Sequence, residues 1–129
     1  VKDNHLSNIE VGQLAAATSE MVADASRLKP PPELVEFEVD TLGQLDELLK
    51  VSGIDVILLD NFSVDQMRRA VARRDGQGLT GKIELEASGG VNLDKVRAIA
   101  ETGVDRIAVG AITHSAPGLD MGMDIEAGI

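Results

Sequence analysis

The run Val56-Ile57-Leu58-Leu59-Asp60-Asn61-Phe62 constrains this chain more than any other stretch. Four apolar residues, mostly branched, lead straight into an acid and an amide with no turn residue between them. Such a run reads as a strand buried on both faces, as in a parallel sheet covered by helices. An acid at the C-terminal end of that strand stands where α/β enzymes keep their chemistry. Asp60 alone could equally cap the next turn, so the weight of the reading lies in whether the pattern recurs.

It does recur. Leu34 to Asp40 alternates Val35, Phe37 and Val39 with Glu36, Glu38 and Asp40. Lys82 to Ala87 is a further extended segment, and Arg106 to Val109 another. Between them lie helical patterns with start signals. Ser7 and Glu10 have capping-box spacing ahead of Val11, Leu14, Ala15, Thr18, Met21, Val22, Ala25 and Leu28, and Lys29-Pro30-Pro31-Pro32 ends that helix. Thr41 and Gln44 box the helix carrying Leu42, Leu45, Leu48 and Leu49, with Gly53 placed to end it. Ser63 and Gln66 box the helix of Val64, Met67 and Val71, whose Arg68, Arg69, Arg73 and Arg74 are expected on a solvated face. Asn92 begins a helix with Leu93, Val96 and Ile99 inward and Gly103 as its C-cap. Leu119 to Ile125 alternates as one more strand.

Strand and helix thus alternate at roughly the two-dozen-residue spacing of βαβ units. No Gly-x-Gly-x-x-Gly follows the first strand, which disfavours a dinucleotide fold. The expected fold class is α/β, part of an open (β/α) barrel with parallel strands. The 129 residues suffice for one domain. With no Cys, Trp or Tyr and only two Phe, the core must be aliphatic, and disulfides and thiolate metal sites are excluded. Absence of Cys fits a reducing, cytoplasmic setting, and no apolar run reaches the length of a membrane span. The net charge of −10 disfavours a nucleic-acid surface. It also means that an anionic substrate needs metal ions, backbone amides or other segments. The start, Val1-Lys2-Asp3-Asn4-His5, lacks an initiator Met and reads as the tail of a strand, as expected of a piece of a longer protein.

Parallel strands put their C-terminal ends on one face. That face would collect Lys2 and His5, Glu38 and Asp40, Asp60 and Asn61, Glu86 and Ser88, then Gly110 and His114. Glu38 and Asp60 could together hold magnesium, which takes one or two carboxylates plus water and substrate phosphates. Spacing alone does not choose between Glu38 and Glu36. Ser88-Gly89-Gly90 opens a helix and suits a phosphate, and Gly110-Ala111 follows the next strand, as in the recurrent phosphate site of barrels.

Taken together, these segments resemble quinolinate phosphoribosyltransferases. The resemblance runs in order over nearly the whole chain, through Val1 to His5, Val35 to Asp40, Leu58 to Phe62, Glu86 to Val91, Glu101 to Asp105, Val109 to Ser115 and Leu119 to Asp124. It implies an open α/β barrel, completed by an N-terminal domain and arranged as a homodimer. The implied reaction moves phosphoribose from phosphoribosyl pyrophosphate to the ring nitrogen of quinolinate. Decarboxylation then gives nicotinate mononucleotide, pyrophosphate and CO2, a step of NAD biosynthesis. By match to the family, Lys2 contacts the anionic substrates, and Glu38 and Asp60 bind ribose hydroxyls and Mg2+. Ser88, Gly89, Gly90, Val109, Gly110 and Ala111 cradle a phosphate, with His114 close by. The family holds the quinolinate carboxylates largely through Arg, Lys and His earlier in the chain, including a partner subunit's Arg. The chain is therefore expected to be the C-terminal part of the barrel domain, without the N-terminal domain and first barrel strands, and inactive alone. Phe37, Met121 and Met123 depart from the family but stay apolar. Two other readings stand beside this one: a related phosphoribosyltransferase-like protein with another acceptor, and a non-catalytic phosphate-binding barrel fragment.

Overall fold

A computed structural model describes residues 1–6 and 8–110. The half of the first capping box at Ser7, the residues Ala111 and His114, and the strand expected over Leu119 to Ile125 lie outside them. The described elements are α1 (Asp3–Leu6), a 3-10 turn (Val11–Gln13), α2 (Leu14–Ser26), β1 (Glu36–Val39), α3 (Leu42–Leu48), β2 (Val56–Asp60), α4 (Val64–Gly76), β3 (Glu84–Ser88), α5 (Leu93–Ala100) and β4 (Arg106–Ile107); strand and helix alternate as expected from β1 on, whereas Asp3 to His5, read as the tail of a strand, is helical. None of the described helices is long and apolar enough to cross a membrane.

All strand pairs are parallel and lie in the order β1-β2-β3-β4. This order decides between the two architectures that a βα rhythm allows. A doubly wound sheet reverses direction at a switch point and carries helices on both faces. Crossovers of one hand that always step the same way put every helix on one face, and the sheet is then an arc of a barrel. Phe37, Val39, Ile57, Leu59, Leu85 and Ala87 accordingly point to the helices and are buried in one core with Leu45, Leu48, Met67, Ala70 and Ile99. The other face is less apolar than the β2 run suggested: Val56 is buried there, but Leu58 is only half-buried.

Local signals account for the helix starts. Thr41 with Gln44 and Ser63 with Gln66 form complete capping boxes, and the Asn92 side chain accepts from the Lys95 amide. Three apolar residues of the helical series depart from expectation. Val11 is exposed, in the 3-10 turn ahead of α2. Leu28 is exposed because α2 stops at Ser26, ahead of the proline run. Leu93 is 88% exposed, although it continues the Val96 and Ile99 series. Successive steps of three residues drift around a helix, so Leu93 stands about 120° from Ile99 and misses the sheet.

Arg74 is the larger correction. It is buried, not solvated with its neighbours Arg68 and Arg69. Seven residues after Met67, it falls on the same inward stripe of α4. There its guanidinium pairs with Asp105 and with Asp75 at 2.8 Å. Arg73 is also engaged, with Asp46 at 2.5 Å and the Leu42 carbonyl at 3.0 Å.

Asp105 does a second job, accepting the Leu85 amide at 2.8 Å beside the start of β4. Asp55 does the same at the start of β2, accepting the Val35 amide at 2.8 Å. The two lie in a short echo, Gly53-Ile54-Asp55-Val56-Ile57 and Gly103-Val104-Asp105-Arg106-Ile107, with both glycines at φ 89°. Each aspartate therefore ties the start of its strand to the strand before it. The N-terminus is tied in as well. The Val1 amino group donates to the Glu36 carbonyl at 2.7 Å and the Glu38 amide to the Val1 carbonyl at 3.0 Å, a parallel pairing on the edge of β1.

Replacing Asp105 with Ala should destabilise the fold by about 3 kcal/mol, because it leaves a buried guanidinium and a strand amide short of partners. Asp55→Ala removes only an acceptor and should cost about 1 kcal/mol. Urea denaturation of the two variants checks the difference; equal losses would show that the Arg74 contact contributes nothing.

Candidate functional site

Register and alternation place the acids. Glu36, Val56 and Glu84 follow one another across the sheet in one row; Glu38, Leu58, Glu86 and Arg106 make the next; Asp60 lies beside Ser88. These residues alternate with the buried row under the helices, so all point to the sheet's other face. Glu38 and Asp60 thus share a face on adjacent strands, offset by one two-residue step of about 6.6 Å. Glu36 is one step further from the strand ends. The structure therefore separates two glutamates that spacing could not. Lys2 reaches the same region: a cleft of about 250 Å³ is lined by Val1, Lys2, Glu36, Glu38 and Leu58.

Burial, reinforced by the charges of Glu36 and Glu84 and opposed by Arg106, holds the Glu86 carboxyl above its ordinary value of 4.5. Glu84 is itself paired with Arg106 at 2.5 Å.

At the strand ends the chain turns tightly. Since Ser63 and Gln66 cap α4, Asp60 is not spent on the helix start. Asn61 instead holds it, donating from Nδ2 to Asp60 Oδ2 at 2.8 Å. Asn61 sits at φ 53°, a left-handed conformation that Asn tolerates better than most residues. Its own amide donates to the Ser88 carbonyl at 3.0 Å, joining the β2 and β3 turns. Gly89 fits against it at φ 84°, and a Cβ there would come within 2.7 Å of Asn61 Cγ and its backbone nitrogen. The glycine is thus required by packing as well as by backbone conformation. Gly90, at φ 58°, has nothing within 4 Å of where a Cβ would stand, so its open side faces solvent.

Two clefts meet at this Gly-Gly turn. One, of about 420 Å³, is lined by Ser88, Gly89, Gly90, Val91, Ala108 and Gly110. It brings together most of the residues expected around a phosphate. Val109 takes part through its backbone neighbours only, since its side chain packs against the core. The other, of about 440 Å³, opens toward α4 and α5 and includes Asn61 and Lys95. His5 serves locally: its Nδ1 accepts the Lys2 amide at 3.2 Å and closes the turn. Sequence reasoning set Asn61 on this face without a role, and missed Lys95 altogether. The Asp-Asn pair at a strand end was the available signal for the first; a cation three residues after the Asn92 cap was the signal for the second.

No group of three or more His, Cys, Asp or Glu suited to caging a metal occurs among the described residues. The all-oxygen pair Glu38 and Asp60 still fits an ion that takes most of its ligands from water and substrate, as magnesium does.

Comparison with known proteins gives the same picture. Residues 1–124 match the family described as quinolinate phosphoribosyl transferase, C-terminal domain. The chain is 45% identical to the nicotinate-nucleotide pyrophosphorylase [carboxylating] of Mycobacterium leprae over 97% of its own length and 40% of that protein. It is 33% identical to a probable enzyme of the same name from Bacillus subtilis, over 97% of this chain and 39% of the relative. Among solved structures, the nicotinate-nucleotide pyrophosphorylase of Ehrlichia chaffeensis superposes with a TM-score of 0.68 at 39% identity, covering 98% of this chain and 41% of that one. That of Francisella tularensis gives 0.68 at 34% identity, covering 88% and 36%. The chain therefore spans about two-fifths of the length of the relatives it matches.

The raised Glu86 carboxyl predicts a pH dependence. The folded chain holds this proton more tightly than the unfolded one, so the associated stability is fully present below pH 4.5 and is lost as pH rises through the folded value. Glu86→Gln should therefore raise the urea midpoint at pH 7, with the gain shrinking toward zero below pH 4.5. A gain that is the same at both pH values would show that ionisation of Glu86 is not its source.

Proposed function

The chain belongs to the quinolinate phosphoribosyl transferase family, as its C-terminal domain, and on that premise we propose that it is the part of a carboxylating nicotinate-nucleotide pyrophosphorylase that binds phosphoribosyl pyrophosphate. The reaction moves phosphoribose to the ring nitrogen of quinolinate and releases pyrophosphate and CO2 in NAD biosynthesis. The intact enzyme is a cytoplasmic homodimer, and the part of it that precedes this barrel segment supplies most of the cations for the quinolinate carboxylates.

One observation carries the reading: the register sets Glu38 and Asp60 on one face of adjacent strands, with Asp60 paired to Ser88 at the start of the Ser88-Gly89-Gly90 turn. As the bond from the sugar to pyrophosphate breaks, the ribose carbon gains positive charge before the ring nitrogen bonds to it. Two carboxylates close to that carbon stabilise it electrostatically, and they accept hydrogen bonds from the ribose hydroxyls. Asn61 keeps the Asp60 carboxylate in position. Ser88, Gly89, Gly90, Val109 and Gly110 hold a phosphate, and the family resemblance assigns Ala111 and His114 to the same group. Lys2, in the cleft with Glu38, offsets the anionic charge of the substrates. Glu38 and Asp60 would also hold Mg2+, which supplies charge neutralisation for the departing pyrophosphate when bound.

In the intact enzyme, Glu38→Ala and Asp60→Ala should each lower kcat by two orders of magnitude or more, about 3 kcal/mol of transition-state stabilisation. Glu36→Ala, one step further from the strand ends, should lose under tenfold. The assay is pyrophosphate release from phosphoribosyl pyrophosphate and quinolinate with Mg2+. Wild-type kcat in either of the first two, or an equal loss in the third, would refute the assignment.

The 129 residues alone should give no detectable turnover in the same assay, and adding the preceding part of the enzyme should restore it. Robust activity of the chain by itself would place the acceptor site here instead.

A further inference from the structure

The cleft on the α4 and α5 side of the Gly89–Gly90 turn shares Asn61, Gly89 and Gly90 with the site above, but its other lining residues have no part in that assignment. It holds about 440 Å³ between Asn61, Ser63, Gln66, Gly89, Gly90 and Lys95, over an apolar floor. No carboxylate lines it, although the chain carries a net charge of −10. Asp65 and Asp94 belong to the first turns of α4 and α5 but are exposed and do not line the cleft.

Its single cation is uncommitted. Arg73, Arg74, Arg97 and Arg106 are all held by carboxylates, whereas Lys95 enters no ion pair among the described residues. The neighbouring helix-end amides are not free donors. The Gln66 amide is taken by Ser63 Oγ at 3.2 Å, and the Lys95 amide by Asn92 Oδ1 at 3.1 Å. What remains for an anion is the Lys95 ammonium group, on a flexible stem with three donors, next to a Gly-Gly turn whose Gly90 side is open.

We infer that Lys95 is a further substrate-binding residue, its ammonium group neutralising a phosphate seated at the Gly89–Gly90 turn. The inference rests on the phosphoribosyl transfer proposed above. It also answers how so acidic a segment holds a polyanion: the acids stand on the sheet face, whereas neither cleft at the turn is lined by a carboxylate, and Lys95 adds a cation from the α4 and α5 side. A phosphate that lies off the breaking bond is contacted equally in the ground state and the transition state. Such a contact lowers KM without changing kcat.

The test uses the intact enzyme. Lys95→Met, an exposed and nearly isosteric change, should raise the KM for phosphoribosyl pyrophosphate about tenfold, roughly 1.4 kcal/mol. It should leave kcat within about twofold and the KM for quinolinate unchanged, and Lys95→Arg should recover most of the loss. Calorimetry with ribose 5-phosphate and with pyrophosphate then identifies the phosphate: weakening confined to either one supports the inference and names the end of the substrate concerned. An unchanged KM for phosphoribosyl pyrophosphate in Lys95→Met, or an equal loss for quinolinate, overturns it. Failure of the parent reading is separately visible, because the wild-type enzyme would then neither bind nor consume phosphoribosyl pyrophosphate.

Discussion

The register of β2 between β1 and β3 is the constraint on which both the fold and the site depend. Side chains alternate along a strand, so a slip of one residue would carry Glu38 and Asp60 into the helix-covered core and bring Val39 and Leu59 out. Burying unpaired carboxylates there is far costlier than any gain a shifted ladder could return. The register is also pinned at the opposite ends of the strands. Asp55 binds the Val35 amide, and Asp105 binds the Leu85 amide while pairing with buried Arg74. The two aspartates carry no chemistry, yet they determine where the catalytic candidates stand.

The sheet that results is strongly two-sided. One face is aliphatic and closed by helices; the other carries Glu36, Glu38, Asp60, Glu84 and Glu86, relieved by Arg106 and by Lys2 close by. Concentrating like charge is unfavourable, and after burial the neighbouring Glu36 and Glu84 add to the rise of the Glu86 carboxyl. In the proposed reaction that arrangement suits a sugar that becomes cationic and would repel the phosphates of the same molecule. The two demands are reconciled by separation: the carboxylates lie on the strands, and the phosphate contacts lie at the glycine turn beyond them. Asn61 bridges the two regions, since it holds Asp60 through its side chain, binds Ser88 through its backbone and packs against Gly89.

Much of this was present in the order of residues. The Thr41–Gln44 and Ser63–Gln66 boxes, the Asn92 cap, the apolar stripes of α3 and α4, and the alternation of β1 are interactions between residues a few positions apart. Local sequence therefore determines them, and with them the strand–helix rhythm, the fold class and the set of acids at strand ends. Even the burial of Arg74 was encoded, seven residues after Met67, although a cluster of four arginines reads first as a solvated face. The family likewise follows from ordered segments spread over nearly the whole chain.

Tertiary structure alone decided the rest, because it turns on residues far apart in sequence. Whether Glu36 or Glu38 neighbours Asp60 depends on how β1 slides against β2. Whether Leu93 is covered depends on where α5 meets the sheet. That Gly89 must be glycine follows from Asn61, 28 positions earlier, lying against it. That Lys95 faces a cleft free of acids depends on α4 and α5 standing side by side. Periodicity specifies which face of an element is apolar; only packing specifies which residues of two elements meet.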